Sequence, residues 1–101
     1  MKPPYYAVIF TNLQTNNTEG YTAMAEKMEH LAKQQPGFLG MESARDHLGI
    51  TVSYWKTTAA IKQWKQNLDH LEAQQKGRSL WYSWYRTRIC LVERDYEFTA
   101  S

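Results

Sequence analysis

The chain lacks most of the features that point directly to a class of function. It has one cysteine, Cys90, so no intramolecular disulfide can form. It has no basic run, and a net charge of +2 is too small to argue for a nucleic-acid partner. No apolar run approaches the roughly 20 residues that span a bilayer. The short apolar stretch in "MKPPYYAVIFTNLQ" follows two prolines and precedes no small-residue cleavage pattern, which speaks against a signal peptide. The expectation is a cytoplasmic protein with no membrane partner. His30 and His47 have no partners at metal-ligand spacing, and no metal site is expected. There is no internal repeat and no linker, so residues 1–101 read as a single domain.

Aromatic residues, by contrast, are abundant: four Trp, seven Tyr and three Phe. Each carries large contact area, which suits an aromatic-lined pocket or a broad interface. Hydrophobic residues make up 43% and charged residues 22%, within the globular range.

"YYAVIFTNL" (Tyr5 to Leu13) is β-branched and aromatic and reads as a strand. Thr18 or Asn17 is expected to cap the next helix, with Glu19 in its first turn. That helix follows from Tyr21, Met24, Ala25, Met28, Leu31 and Ala32, spaced by threes and fours, and "QQPG" stops it. "FLGMESARD" and "GITVSYW" read as two strands joined by a turn at "DHLG". Thr57 or Thr58 caps a second helix with the stripe Ile61, Trp64, Leu68 and Leu71. Its helical pattern fades near Gly77. A shorter helical piece is expected over "RSLWYSWY", then a last strand over "RTRICLVERDYEF". The order β-α-β-β-α-β predicts an α+β, ferredoxin-like fold: an antiparallel four-stranded sheet with two helices on one face.

The first strand is apolar on both sides, with Tyr6, Val8 and Phe10 on one and Tyr5, Ala7 and Ile9 on the other. A sheet with one wet face alternates more cleanly. Something must therefore cover the second face. A second copy of the same sheet, making a homodimer, is the simplest cover.

"PGFLGMESARD", "GITVSYWKTTAAIKQWK" and "WYSWYRTRICLVERDY" together resemble the antibiotic biosynthesis monooxygenase family of dimeric α/β-barrel proteins. The resemblance implies two sheets packed face to face and a pocket in each chain between sheet and helices. It implies oxidation of an electron-rich aromatic or quinol-like compound by molecular oxygen, with no cofactor. A related subgroup binds and degrades haem.

Such chemistry asks the protein to position a substrate, exclude water, help remove a proton and stabilise an anion. Tyr54, Trp81 and Tyr82 are the expected substrate-binding aromatics, with Asn12, Trp64 and His70 as catalytic candidates. By the resemblance, Trp64 matches a pocket-lining tryptophan of the haem-degrading relatives. Asn12 matches an asparagine whose amide points at the ligand. Those relatives place their iron-ligating histidine ten residues after the tryptophan, and Gln74 stands there in this chain, which disfavours haem degradation. His70 is the helical candidate for a general base, since its unperturbed pKa lies near 6.5. Yet at about 100° per residue it lies roughly 130° from the centre of the apolar stripe. Trp55 is expected to pack structure. The competing reading is a non-catalytic dimeric module that binds a small hydrophobic or aromatic ligand.

Overall fold

The computed structural model describes residues 1–75 and 78–101, with side chains for all of these but 72–75 and 78–79. The elements run β1 (Tyr5–Gln14), α1 (Tyr21–Lys33), β2 (Phe38–Arg45), β3 (Gly49–Trp55), α2 (Thr58–Gln75), α3 (Arg78–Trp81) and β4 (Tyr82–Val92). The four strands form one antiparallel sheet in the order β2-β3-β1-β4. The β-α-β-β-α-β reading and its ferredoxin-like sheet are those of the molecule. No helix among the described residues is long and apolar enough to cross a membrane.

Paired residues stand in rows across the sheet, each row on one face. Four rows face the helices. From the closed end they are Phe38–Trp55–Tyr6–Leu91, Met41–Ser53–Val8–Ile89, Ser43–Thr51–Phe10–Thr87 and Arg45–Gly49–Asn12–Tyr85. The core sits over the first two rows. There Trp55, Ala32, Ile61 and Trp64 are buried together, with Tyr6, Val8, Phe38 and Met41 packed around them. Trp55 is 0% exposed. It stacks on Trp64 at 6.1 Å between centroids, and its indole N–H donates to Ser53 Oγ at 2.9 Å. It packs structure, as expected.

Two irregularities in the pairing set which side chains turn inward. In β2 the register shifts between Phe38 and Gly40, so Phe38 and Met41 both reach the helix face. In β4, Leu13 pairs with Trp84 and Gln14 with Tyr82, leaving Ser83 as the extra residue. That bulge flips Tyr82 onto the helix face, where regular alternation would send it to the other side.

Three expectations are corrected. The α1 N-terminus is not capped by Thr18 or Asn17. Gly20 takes that position in the left-handed region, φ 79°, with no side-chain cap. Helix α1 opens on Tyr21, so Glu19 precedes its first turn, and Asn17 Oδ1 accepts from the Glu19 amide instead. The helical piece over "RSLWYSWY" is only Arg78–Trp81, because Tyr82, Trp84 and Tyr85 pair with Gln14, Leu13 and Asn12 at the far end of β1. Finally, β4 ends at Val92 rather than running on to Phe98. Val92 pairs with Tyr5, the first residue of β1, and beyond it lie prolines without N–H groups to continue the ladder. Elsewhere the caps follow the sequence: Thr57 Oγ1 accepts from the Ala60 amide at 3.0 Å at the start of α2. The fading of the helical pattern near Gly77 lies outside the described residues.

Candidate functional site

A cavity of about 950 Å³ lies between the sheet and the two long helices. Its origin is visible in the rows. In the second and third rows the inward residues of β2 and β3 are Met41, Ser43, Thr51 and Ser53. Three of these four are small and polar, so they leave space that Leu or Ile would fill. The helices supply an apolar roof: Met24, Ala25 and Met28 from α1, and Ile61, Trp64, Leu68 and Leu71 from α2. The α2 stripe read from the sequence is this wall.

One end is aromatic. Phe10 lies edge-to-face with Tyr82 at 5.4 Å, and Tyr21 lies edge-to-face with Trp81 at 5.7 Å and with Tyr82 at 5.9 Å. Trp81 is fixed by its indole N–H, which donates to the Glu19 carbonyl at 2.8 Å, and by its own carbonyl, which accepts from the Thr15 amide at 2.7 Å. The short α3 thus locks Trp81 against the loop after β1, and the bulge at Ser83 turns Tyr82 in beside it. A flat ligand meets ring faces and edges there.

Of the residues singled out from sequence, the structure brings Trp64, Trp81 and Tyr82 to the cavity wall. Trp64 is 7% exposed, and it serves both the core and the wall. Asn12 lies on the helix face but is 1% exposed. Its side-chain oxygen accepts a hydrogen bond from Arg45 Nη2, so the amide is sealed beneath a guanidinium. Tyr54 is on the opposite face of the sheet. Its hydroxyl donates to Glu42, and that bond, with some desolvation, pushes its pKa up to about 12. His70 is exposed on α2 and is not part of the wall, as its angle from the stripe implies. Gln74 falls within α2, but its side chain lies outside the described residues.

Arg45 is the residue that gains most from the tertiary view. It stands in the row Arg45–Gly49–Asn12, three neighbours on three strands. Gly49 has no side chain, and a Cβ there would fall on the Arg45 guanidinium. The arginine therefore lies across β3 to reach Asn12 on β1. Its Cζ is 5.8 Å from the centre of the Tyr21 ring, a cation–π distance. The sequence marks Asn12 as a candidate by itself, but nothing local in it joins Asn12 to Arg45. Only the pairing register, with Gly49 between two polar residues, could have suggested it.

Among the described residues, no group of three or more His, Cys, Asp or Glu side chains could hold a metal ion. The chemistry the cavity can offer is that of a mostly apolar volume with aromatic walls, small hydroxyls on the sheet (Ser43, Thr51, Ser53 and Thr87), the Arg45 guanidinium, and charged groups of both signs from the helices (Glu26, Glu29, Lys62 and Lys65).

Residues 4–76 match the model of the family described as antibiotic biosynthesis monooxygenase. The chain is similar to the uncharacterized protein YqjZ of Bacillus subtilis (strain 168), with 50% identity over 96 residues, 93% of this chain and 84% of that protein. Among solved structures it is similar to SnoaB, a cofactor-independent oxygenase from Streptomyces nogalater, with a TM-score of 0.66. That match has 10% identity and covers 97% of this chain and 100% of the other. PA3566 from Pseudomonas aeruginosa gives a TM-score of 0.69 at 17% identity, covering 95% of this chain and 99% of the other. At these identities the structural likenesses establish the fold.

Proposed function

The chain belongs to the antibiotic biosynthesis monooxygenase family, and from that premise we propose that it is a cofactor-independent monooxygenase of a small aromatic or quinol-like compound. The observation that carries this reading is the cavity itself: about 950 Å³, apolar in most of its lining and bordered at one end by Phe10, Tyr21, Trp81 and Tyr82. Oxygen reacts slowly with ordinary closed-shell molecules. A substrate that forms a stabilised carbanion or phenolate supplies the electrons itself. In an anthrone-type compound the ring CH₂ loses a proton, the carbanion adds O₂ as a hydroperoxide, and loss of water leaves a carbonyl. One oxygen atom enters the product and the other leaves as water.

The protein's part is to hold the flat substrate between Trp64 and the aromatic end, to exclude water, and to favour the anion. Phe10, Trp64, Trp81 and Tyr82 form the binding walls, and Asn12 acts through Arg45. His70 stands outside this site in the single chain and takes no step in the reading. The open sheet face carries the half-buried Ile9, Val52 and Tyr54 and the exposed Ile50, and a second copy of the sheet is its proposed cover.

The test is oxygen uptake by the purified protein against a panel of anthrones, hydroquinones and related phenols, with no cofactor added. Uptake above the uncatalysed rate is expected, with loss of at least tenfold in Trp64→Ala, since misplacing a substrate by about 1 Å costs on the order of a hundredfold. A protein that binds these compounds without consuming oxygen is instead a non-catalytic ligand-binding module.

A further inference from the structure

We propose that the cavity takes an aromatic ligand bearing an anionic head group, a carboxylate or an ionised acidic phenol, and that Arg45 receives the anion. This rests on the cavity being the ligand site and deepens that reading by naming the ligand's charge.

Arg45 brings a cation to the aromatic end of the cavity, 5.8 Å from the Tyr21 ring. Asn12, the buried amide of this row, is 1% exposed and already occupied as an acceptor. Arg45 covers it and itself lines the cavity. Among the described residues Arg45 forms no ion pair; the ion pairs there are Lys33–Glu29 and Lys65–Asp69. A guanidinium has five N–H donors in a planar fork. The bond to Asn12 Oδ1 uses one, and it orients the fork without neutralising it.

The position is fixed from three sides. Asn12 accepts from Nη2, the bare Gly49 backbone lies beneath the plane, and Tyr21 stands 5.8 Å away. An arginine held this way loses less freedom on binding, and a planar carboxylate suits it. The other charges on the wall do not reverse the sign. Glu26 and Glu29 line the α1 side, and Glu29 is paired with Lys33 at 3.5 Å. Lys62 and Lys65 line the α2 side, and Lys65 is paired with Asp69 at 2.7 Å, so outside the ion pairs Arg45 and Lys62 face Glu26. The aromatic end, with Tyr82 and Trp81 beside Tyr21, then holds the ring system while Arg45 holds the head group.

The test compares binding of anthracene carboxylate and its neutral amide, read by quenching of tryptophan fluorescence without any turnover. Variants are Arg45→Gln, which removes the charge, and Gly49→Ala, which keeps it but displaces it. Gly49→Ala is tolerable because the obstructing group is the far end of a flexible side chain. The carboxylate is expected to bind about five- to tenfold more tightly than the amide, a partly exposed charged contact lying at the lower end of such effects. Arg45→Gln should abolish that preference, Gly49→Ala should reduce it, and added salt should shrink it in the wild type. Equal binding of the two probes, or a preference that persists in Arg45→Gln, overturns the role of Arg45 and leaves the oxygen-uptake reading untouched. Failure of both probes to bind overturns this proposal and the cavity reading together.

Discussion

Trp55 and Trp64 are nine residues apart in sequence and stacked at 6.1 Å in the fold, yet their surroundings differ. Trp55 is enclosed on all sides, whereas Trp64 has the cavity along one side. Replacing an enclosed tryptophan by alanine costs about 3–5 kcal/mol, the lost transfer energy plus the void. Trp55→Ala should fall in that range. Trp64→Ala should cost less, about 2–3 kcal/mol, because part of its surface already borders open space. Urea midpoints of the two variants give the comparison, and an equal cost would mean that the cavity closes over Trp64 in solution. On the other sheet face, Tyr54 donates to Glu42, and a phenolate there would face a carboxylate. Its folded pKa, about 12, lies above the value near 10 of the unfolded chain. The bond's contribution is therefore complete below about pH 10 and is lost as pH rises through about 12. The stability gap between wild type and Tyr54→Phe should be flat from neutrality to about pH 10 and then shrink. A gap that stays constant to about pH 12 would show that the hydroxyl does not keep this partner in solution.

At the scale of elements, two glycines with positive φ do different work. Gly20 ends the loop before α1 at φ 79°, and a Cβ there meets nothing nearer than 3.9 Å. Gly37 sits at φ 85° where the chain enters β2, and a Cβ would approach Ala60 Cβ on α2 to 2.8 Å. Its carbonyl also accepts from the Lys56 amide at 2.8 Å, fastening the start of β2 to the end of β3. Gly20→Ala should cost about 1–2 kcal/mol, the left-handed penalty alone. Gly37→Ala adds a clash with the Ala60 Cβ, which is fixed to the α2 backbone, and should cost about 2–4 kcal/mol. Thermal or urea unfolding of the pair checks the order, and similar costs would mean that α2 yields freely at Ala60. The elements also show where sequence patterning stops. The stripe on α2 and the alternation on β1 were legible because each has one period along its length. The end of α3 and the start of β4 were not: Trp81 and Tyr82 are adjacent aromatics, and the Ser83 bulge that turns Tyr82 inward depends on pairing with Gln14 and Leu13.

For the whole molecule, one sheet face carries the helices, which leave Tyr85, Ile89 and Leu91 of β4 exposed on that side, and the other face carries an apolar centre. Its rim holds Tyr5, bonded to Asp95 at 2.5 Å, and Cys90, half-buried opposite Ala7. Arg86 and Arg88 stand on the same face, away from the cavity. If two copies close over this face, sedimentation equilibrium should give twice the 11.9 kDa of the chain, and the melting temperature should rise with protein concentration. A single-chain mass at all concentrations would leave the covering of this face to another partner.

The sequence by itself determined the order of elements, the antiparallel sheet, and the placing of Trp64 on a buried stripe and His70 off it. Those follow from hydrophobic period and turn chemistry, which act over a few residues. Only the tertiary structure decided that Tyr54 faces away from the cavity, that Tyr82 faces into it, and that Asn12 lies beneath Arg45. Each of these depends on which strand pairs with which and in what register. The row Arg45–Gly49–Asn12 joins residues far apart in the chain, and a contact made across three strands has no periodic trace in any one of them.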